Sequence, residues 1–280
     1  MKNTQINNII IERVANALGE LNEKVIYVGG AIVSLYINDP AAEDVRPTKD
    51  IDISIKVASF VELENIREQL SEKGFKQSAD LDVICRFKLE DILVDVMATK
   101  PIAWAPANPW FEKGFERLVK IKINDITIQI MPLTLFLASK FVAFHDRGGN
   151  DPRFSHDLED IIYILDNRTD WHQILINEED QEVKEFLINE FRNILASSKI
   201  QEAILGNLFY ETQDKRFAII MDKINKVANT DTVFALGKFH TLHLGHIKVI
   251  KEAVELSKAN KNLAVMIFDE KNSIIEESKR

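Results

Sequence analysis

Two aspartates lie in a run of residues that otherwise reads as a β-strand, in the segment RPTKDIDISIKV at residues 46–57. Side chains alternate between the two faces of a strand, so Asp50 and Asp52 point to one face while Ile51 and Ile53 point to the other. Two carboxylates on one face repel each other unless a cation lies between them, and Mg²⁺ prefers carboxylate oxygens. The alternative is a solvated outer face, because so short a motif also occurs by chance.

A third aspartate, Asp95, is the one charged residue in the apolar run ILVDVMAT. A charge in such a strand is costly unless it is paired or binds a metal ion. If this strand lies beside the strand of Asp50 and Asp52, the three carboxylates converge on a two-metal site suited to phosphoryl transfer. The alternative is a salt bridge from Asp95 to a lysine or arginine at the edge of the core.

Two glycines, Gly29 and Gly30, end the apolar strand KVIYV and precede AIVSLYI, a segment of helical character. Glycine lets a backbone approach a ligand closely, and the N-terminus of a helix offers free N–H groups to a phosphate. Ser34, one turn further on, could add a hydroxyl group. The alternatives are a tight turn for the two glycines and a small packing residue at Ser34.

Amphipathic helices are predicted on either side of these motifs, because apolar residues recur at helical spacing. The first lies at the N-terminus, and its predicted buried stripe consists of Ile6, Ile10, Val14, Ala17 and Leu21. The second lies in VELENIREQLSEKGF, with Leu63, Ile66 and Leu70 on one face and Gly74 as its stop signal.

The order of the elements predicts an α+β protein with a small mixed sheet. Two strand-like runs, at residues 83–89 and 92–98, flank a turn at Glu90 and Asp91, and ITIQIMP is a further strand. The pattern is mostly helical from Leu133 to about residue 227, and it then predicts a β-α-β unit. We therefore predict three domains, a catalytic core at 1–130, a helical domain at 131–229 and a β-α-β fragment at 230–280.

Three motifs taken together, VGGAIVSLYI, VRPTKDIDISI and ILVDVMAT, resemble the DNA polymerase β-type nucleotidyltransferases, and within them the AbiEii-like toxin branch. The resemblance covers about residues 24–165 and implies that family's fold, followed by a helical extension. It further implies that Asp50, Asp52 and Asp95 hold Mg²⁺ or Mn²⁺, and that Gly29 and Gly30 contact the triphosphate of the nucleotide.

A lysine on an apolar helical stripe extends the resemblance. The stripe consists of Leu133, Leu137, Phe141 and Phe144. In the family a lysine, an arginine and an acidic helix follow one another, and here Lys140, Arg147 and either Asp157 or Asp160 fill those positions. The resemblance implies nucleotide binding by these residues and by Lys49. A structural ion pair with Asp157 between two helices is an alternative role for Lys140, and the sequence favours neither role over the other.

A second motif, HLGH, lies in FALGKFHTLHLGHIKVIKEA and resembles the H-x-G-H of the adenylyl- and cytidylyltransferases, most closely the start of a bacterial FAD synthetase. That resemblance implies a phosphate site at His243, Gly245 and His246. His240 stands where that family usually has aspartate, and the later motifs are absent. We therefore interpret residues 231–280 as a truncated or vestigial module, for which a docking element with two incidental histidines is the favoured function.

The composition is that of a globular protein, since 46% of the 280 residues are hydrophobic and 28% are charged. No apolar run approaches the roughly 20 residues that span a bilayer, so no membrane partner is expected. The single cysteine, Cys85, excludes an internal disulfide and favours the cytoplasm. A net charge of −9 argues against broad non-specific binding of nucleic acid, although a local basic groove stays open.

The sequence favours an enzyme that transfers a nucleoside monophosphate from an NTP to a hydroxyl acceptor and releases pyrophosphate. Asp50 and Asp52 would hold both metal ions, and Asp95 would bind the catalytic ion and help to deprotonate the acceptor. The acceptor class is open between RNA such as tRNA, a protein and a small molecule, and an antitoxin or a second copy of the chain is a candidate partner. The alternatives are an inactive nucleotide-binding or interaction protein, and FMN adenylylation through the H-x-G-H motif.

Overall fold

The computed structural model falls into two compact units, Met1–Ile224 and Asn225–Arg280. The structure describes residues 2–48, 50–57, 59–77, 85–103, 105–147, 151–229, 232–237, 244–257, 262–268 and 273–276. The division into three domains at 1–130, 131–229 and 230–280 stays a prediction.

A mixed sheet of seven strands forms the centre of the first unit, in the order β3-β4-β5-β2-β1-β7-β6. The strands are β1 (Val25–Val28), β2 (Asp50–Ile55), β3 (Lys76–Gln77), β4 (Arg86–Leu89), β5 (Ile92–Ala98), β6 (Val119–Ile123) and β7 (Ile126–Ile130). Strand β2 runs parallel to β5, and β1 runs parallel to β7, whereas the other neighbouring strands are antiparallel. The predicted α+β class with a mixed sheet is confirmed.

Helices precede, interrupt and follow this sheet. They are α1 (Asn3–Leu18), α2 (Phe60–Glu72), α3 (Phe111–Glu116), α4 (Leu133–Arg147), α5 (His156–Asn167), α6 (Trp171–Ile176), α7 (Gln181–Ala196), α8 (Ser198–Gly206) and α9 (Gln213–Ala228). The predicted change to a mostly helical chain after residue 133 is confirmed. No helix in the described part of the chain is both long enough and apolar enough to cross a membrane.

The predicted apolar face of α4 is confirmed, and it packs into an aromatic core. All four residues of the predicted stripe are buried, and so is Lys140, which lies on it. Phe141 of α4 meets Phe191 of α7 edge-on, with ring centroids 5.7 Å apart, and Trp171 of α6 stacks on the same ring at 5.2 Å. The apolar face of α2 is also buried as predicted, and Gly74 follows its end with φ of +91°.

The predicted buried stripe of α1 was wrong in its phase, although the helix itself is confirmed. Ile6 is exposed and Ile10 is only half-buried. The buried residues of this helix are Asn7, Ile11, Val14, Ala15 and Leu18. The run Ile9–Ile10–Ile11 puts apolar side chains on several sides of the helix, so helical spacing alone leaves its orientation open.

The segment of predicted helical character after the two glycines is a 3₁₀-helix, Gly30–Tyr36. Most of it is buried, and Tyr36 donates a hydrogen bond from its hydroxyl to the carbonyl oxygen of Met131 at 2.8 Å. The ring of Tyr36 also stacks on Phe136, with centroids 4.4 Å apart. Contacts with β7 and α4 therefore shape this segment more than its own helix propensity does.

The second unit contains the predicted β-α-β arrangement and one additional strand. Strands β8 (Thr232–Gly237) and β9 (Asn262–Phe268) are parallel and are connected through α10 (Leu244–Ser257). Strand β10 (Ser273–Glu276) pairs with β9 in the antiparallel direction. The three strands form their own sheet, in the order β10-β9-β8.

Candidate functional site

Strands β2 and β5 lie side by side, as the hypothesis of a shared acidic face required. Asp52 pairs in register with Asp95, and on the other side of β5 Asp95 pairs in register with Arg86 of β4. Residues in register point to the same face of a sheet. Arg86, Asp95 and Asp52 therefore form a row across three strands, with Asp50 on the same face two residues before Asp52.

Arg86 is the main site residue that the sequence analysis missed. Its Nε and Nη2 atoms donate to the two carboxylate oxygens of Asp95, each at 2.7 Å, and Nη2 also lies 3.5 Å from Oδ2 of Asp50. The hydrogen bonds to Asp95 raise the pKa of the Arg86 guanidinium. A signal existed, because a two-residue turn that pairs Leu89 with Ile92 places Arg86 opposite Asp95.

Asp52 is half-buried, and within the described chain no hydrogen bond or ion pair reaches its carboxylate. Burial raises the pKa of Asp52 to about 7, the neighbouring charge of Asp50 adds to the rise, and that of Asp95 contributes less. The positive charges of Lys140 and Arg147 act in the opposite direction. The ionised form of Asp52 is therefore unfavourable in the folded chain, and a bound cation would favour it.

Gly29 packs directly against Asp52. Its φ of +74° lies in the left-handed region that favours glycine, and a Cβ atom at this position would overlap the Asp52 carboxylate. A Cβ atom at Gly30 would overlap the guanidinium of Arg46 instead. The two glycines are therefore required by the close approach of the side chains of Asp52 and Arg46, which a tight turn alone would not explain.

Gly29→Ala is expected to lower the free energy of unfolding by about 2 kcal/mol, because it combines an unfavourable φ with a displaced Asp52. The matched control is Gly206→Ala in α8, where a Cβ atom meets nothing within 4 Å. Urea denaturation should show that the control is unchanged or slightly stabilised. Equal stability of the two variants would contradict the packing of Gly29 on Asp52.

A buried chain of ion pairs lies beyond the two glycines. Lys140 Nζ is 2.6 Å from Asp160 Oδ2 and 3.2 Å from Asp157 Oδ1. Arg46 donates to both oxygens of Asp160, at 2.8 and 3.1 Å, and Arg147 donates to both oxygens of Asp157, at 3.0 Å. The structural ion pair that was one interpretation of Lys140 is therefore present, and nucleotide binding by these residues stays a prediction.

Asp160 is the centre of this chain, with only 1% of its surface exposed. Burial by itself would raise the pKa of Asp160, but Lys140 and Arg46 outweigh burial and hold that pKa below its ordinary value. Arg46 is the second site residue that was missed. It lies 114 positions from Asp160 along the chain, and no local pattern predicts such a pair.

The remaining predicted site residues are less informative. Ser34 has a buried hydroxyl oxygen with no hydrogen-bond partner in the described part of the chain. Gly245 and His246 lie in the first turn of α10 in the second unit, where Gly245 is exposed and His246 is half-buried. Lys49 and His243 lie outside the described residues.

The donor set fits a hard divalent cation only in part. Within the described residues the side chain of Asp50 accepts one hydrogen bond, from Thr48 Oγ1 at 2.8 Å, and that of Asp52 accepts none, so carboxylate oxygens of the kind that Mg²⁺ and Mn²⁺ prefer remain. Both oxygens of Asp95 are occupied by Arg86. Among the residues that the structure describes, no three Asp, Glu, His or Cys side chains form a group that could hold a metal ion. The three aspartates share one face, but the guanidinium of Arg86 contacts both Asp50 and Asp95, and metal binding by the three stays a prediction.

The described fold and site define an α+β protein whose mixed sheet presents an acidic face beside a Gly-Gly turn. Comparison with family models finds a match to a family described as FAD synthetase, over residues 225–280. These are the residues of the second unit, and the predicted likeness of the C-terminal segment to an FAD synthetase is thereby confirmed. The match covers a minor part of the chain.

Comparison with curated proteins finds no match. A similar solved structure is that of an antigenic nucleotidyltransferase-like protein from Paracoccidioides brasiliensis, with 17% identity, 71% of this chain and 91% of that chain covered, and a TM-score of 0.44. The solution structure of the antibiotic-resistance factor ANT(2'')-Ia is 17% identical, with 70% of this chain and 95% of that chain covered and a TM-score of 0.42. The crystal structure of ANT(2'')-Ia with adenylyl-2''-tobramycin is 12% identical, with 77% of this chain and 97% of that chain covered and a TM-score of 0.34. Values this low assign no activity, and the AbiEii-like branch stays a prediction.

Proposed function

We propose that the first unit is a metal-dependent nucleotidyltransferase, which transfers a nucleoside monophosphate from an NTP to a hydroxyl acceptor and releases pyrophosphate. The observation that carries this proposal is Asp52, a carboxylate without a described partner, packed on Gly29 and in a row with Asp95. Burial, together with the nearby charge of Asp50, raises its pKa to about 7, so an ionised Asp52 is unfavourable there unless a cation is bound. A site for phosphoryl transfer needs such oxygen ligands where metal ions and phosphates meet.

Asp50 and Asp52 are the residues that would hold Mg²⁺ or Mn²⁺. When bound, the ion would act as a Lewis acid on the phosphate oxygens. Asp95 is oriented by Arg86, and each of its oxygens keeps one lone pair beyond the bond from Arg86, so it can accept the proton of the acceptor hydroxyl. Arg86 also brings a permanent positive charge to the face where the triphosphate would lie.

Positive charge from the helical part of the unit favours the triphosphate as well. Lys140 and Arg147 lower the pKa of Asp52, so their fields reach the acidic face. The side chain of Arg147 is 70% exposed although it is paired with Asp157, and it is therefore accessible to a phosphate. Gly29 and Gly30 allow a close approach of the backbone, and we include Ser34 as a further contact, since its buried hydroxyl has no hydrogen-bond partner among the described residues. Lys49, next to Asp50 in the sequence, is proposed as a further nucleotide contact.

Binding of NTP is expected to depend on the divalent cation. Calorimetric titration of the full chain with each of the four NTPs should show binding in Mg²⁺ and affinity lower by about a hundredfold in EDTA, because the triphosphate would otherwise meet unneutralised carboxylates. The double variant Asp50→Asn/Asp52→Asn should lose the difference between the two buffers. Equal NTP affinity of the unaltered chain in Mg²⁺ and in EDTA would contradict the proposal.

Transfer itself is tested with labelled NTPs offered together with tRNA, total protein or small hydroxyl compounds, followed by detection of label in each fraction. Label in one fraction, with pyrophosphate released in equal amount, supports the proposed reaction and names the acceptor class. Binding of NTP without label in any fraction supports the alternative, a nucleotide-binding protein without turnover.

A second candidate function is FMN adenylylation by the second unit, which the match to the FAD synthetase family favours. Incubation with FMN and ATP, with FAD as the measured product, tests it. FAD formation that His246→Ala abolishes and Asp52→Asn leaves unchanged would assign this activity to the second unit. Absence of FAD would remove the candidate.

A further inference from the structure

Arg86 places a positive charge of the chain itself against two carboxylates of the acidic face. Its Nε and Nη2 atoms donate to the two oxygens of Asp95, each at 2.7 Å. Nη2 also lies 3.5 Å from Oδ2 of Asp50. In a two-metal site for phosphoryl transfer, cations lie against such carboxylates. One guanidinium therefore already contacts two of the three aspartates that a pair of divalent cations would share.

Both the backbone and the side chain of Arg86 are held in place. Its backbone begins β4 in register with Asp95, and the carbonyl oxygen of the preceding residue, Cys85, accepts from the N–H of Val96 at 3.0 Å. The side chain is only 21% exposed. Two N–H groups of one guanidinium on the two oxygens of one carboxylate form a strong bidentate pair. A divalent cation that displaced Arg86 would have to break both bonds and leave the guanidinium without its carboxylate.

A second divalent cation beside Arg86 is also opposed. Each oxygen of Asp95 keeps a lone pair, but an ion bound there would share the carboxylate with the guanidinium and lie only a few ångströms from it. Like charges at such a distance repel strongly when the site is partly buried. The side chain of Asp95 is 13% exposed, so solvent screens this repulsion little.

Asp50 and Asp52 keep the oxygens that one cation needs. Within the described residues the carboxylate of Asp52 accepts no hydrogen bond, and that of Asp50 accepts one, from Thr48. The two side chains lie on the same face of β2, two residues apart. Mg²⁺ is usually held by one or two carboxylates, while waters and substrate phosphates complete its shell. Two carboxylates therefore suffice for one ion.

We propose that Arg86 takes the place of one of the two metal ions, so that the acidic face binds a single divalent cation, through Asp50 and Asp52. The inference deepens the proposed function and rests on it, because it states how many ions that same site takes. It differs from the two-metal arrangement expected from the sequence. Arg86 supplies a permanent charge at Asp95 that needs no ion from solution.

The number of ions is measured by titrating the full chain with Mn²⁺ in the absence of nucleotide and counting the free ion by electron paramagnetic resonance. Binding that the double variant Asp50→Asn/Asp52→Asn retains is subtracted, because it belongs to carboxylates elsewhere. One ion per chain is expected, with the spectrum of an isolated Mn²⁺. Two ions about 3.5–4 Å apart, as in two-metal sites, would couple magnetically. A coupled pair in the unaltered chain, or no specific ion at all, would overturn the proposal.

Variants of Arg86 test whether its charge sets this number. Arg86→Gln removes the charge and frees both oxygens of Asp95, so a second, coupled ion should bind, and the first should bind about tenfold more tightly. Arg86→Lys keeps the charge and should still bind one ion. Arg13→Gln is the matched control, because Arg13 pairs with Glu90 and Asp91 in the turn of the same hairpin, and it should also bind one.

A folded Arg86→Gln that still binds one ion, or an Arg86→Lys that binds two, would overturn the proposal. If Arg86→Gln does not fold, the count in the unaltered chain and in Arg86→Lys decides by itself. The labelled-NTP assay separates this proposal from the proposed function. One bound ion without transfer to any acceptor would overturn the proposed function alone, whereas transfer by a chain that binds a coupled pair would overturn the single-ion proposal alone.

Discussion

Asp52→Asn should reduce nucleotidyl transfer by roughly a thousandfold while leaving the fold intact, because the site loses a carboxylate proposed to hold the metal. The same substitution should stabilise the protein in metal-free buffer at neutral and alkaline pH. An ionised Asp52 is unfavourable in the folded chain, since it is desolvated and close to Asp50. An asparagine of nearly the same shape removes that penalty.

The pH dependence of this stabilisation follows from the direction of the pKa shift. The pKa of Asp52 is about 7 in the folded chain, whereas the pKa of an aspartate in an unfolded chain is about 4. Its contribution to stability is therefore complete below about pH 4 and is lost as the pH rises through about 7. The stability of Asp52→Asn relative to the unaltered chain should rise over that interval by about 3 kcal/mol.

Urea denaturation in EDTA at several pH values measures this difference, and labelled NTP transfer measures the activity. Asp125→Asn is the matched control, because Asp125 is exposed in the turn between β6 and β7. The control should keep its activity and show no pH-dependent gain. Full activity of Asp52→Asn would rule out the metal-site hypothesis. A gain in stability that does not vary with pH would show that the fold does not raise the pKa of Asp52.

Asp160→Ala should lower the free energy of unfolding by about 3–5 kcal/mol, the typical result of removing one member of a buried ion pair. Lys140 is 5% exposed and would retain only the longer contact with Asp157, at 3.2 Å. Arg46 would lose both of its hydrogen bonds to Asp160. Most of the loss comes from these positive charges, which would stay partly or fully buried without their carboxylate.

A double variant separates this explanation from simple loss of packing. Asp160→Ala combined with Lys140→Met should recover a large part of the lost stability, since it removes the buried charge together with its partner. Asp91→Ala, which breaks an exposed pair with Arg13, is the control and should change the melting temperature little. If Asp160→Ala proves no more destabilising than Asp91→Ala, the buried chain of ion pairs does not stabilise the fold.

These predictions depend on local patterns in the sequence and on contacts that only the tertiary structure shows. Local periodicity in the sequence correctly placed Asp50 and Asp52 on one face of a strand and Lys140 on the apolar face of α4. It also contained the register that sets Arg86 opposite Asp95, because a two-residue turn leaves a single way to pair the hairpin. Such features depend on neighbours along the chain, and the spacing of side chains within one strand, hairpin or helix determines them.

Only the tertiary structure decided which residues these faces meet. Arg46 and Asp160 are 114 positions apart, and they pair because α5 packs beside the segment that precedes β2. The orientation of α1 and the 3₁₀ geometry after Gly30 likewise depend on contacts with other elements of the sheet and helices. The physical reason is that periodicity reports which face of an element is buried, whereas the partner on that face is set by strand order and helix packing over long separations in sequence.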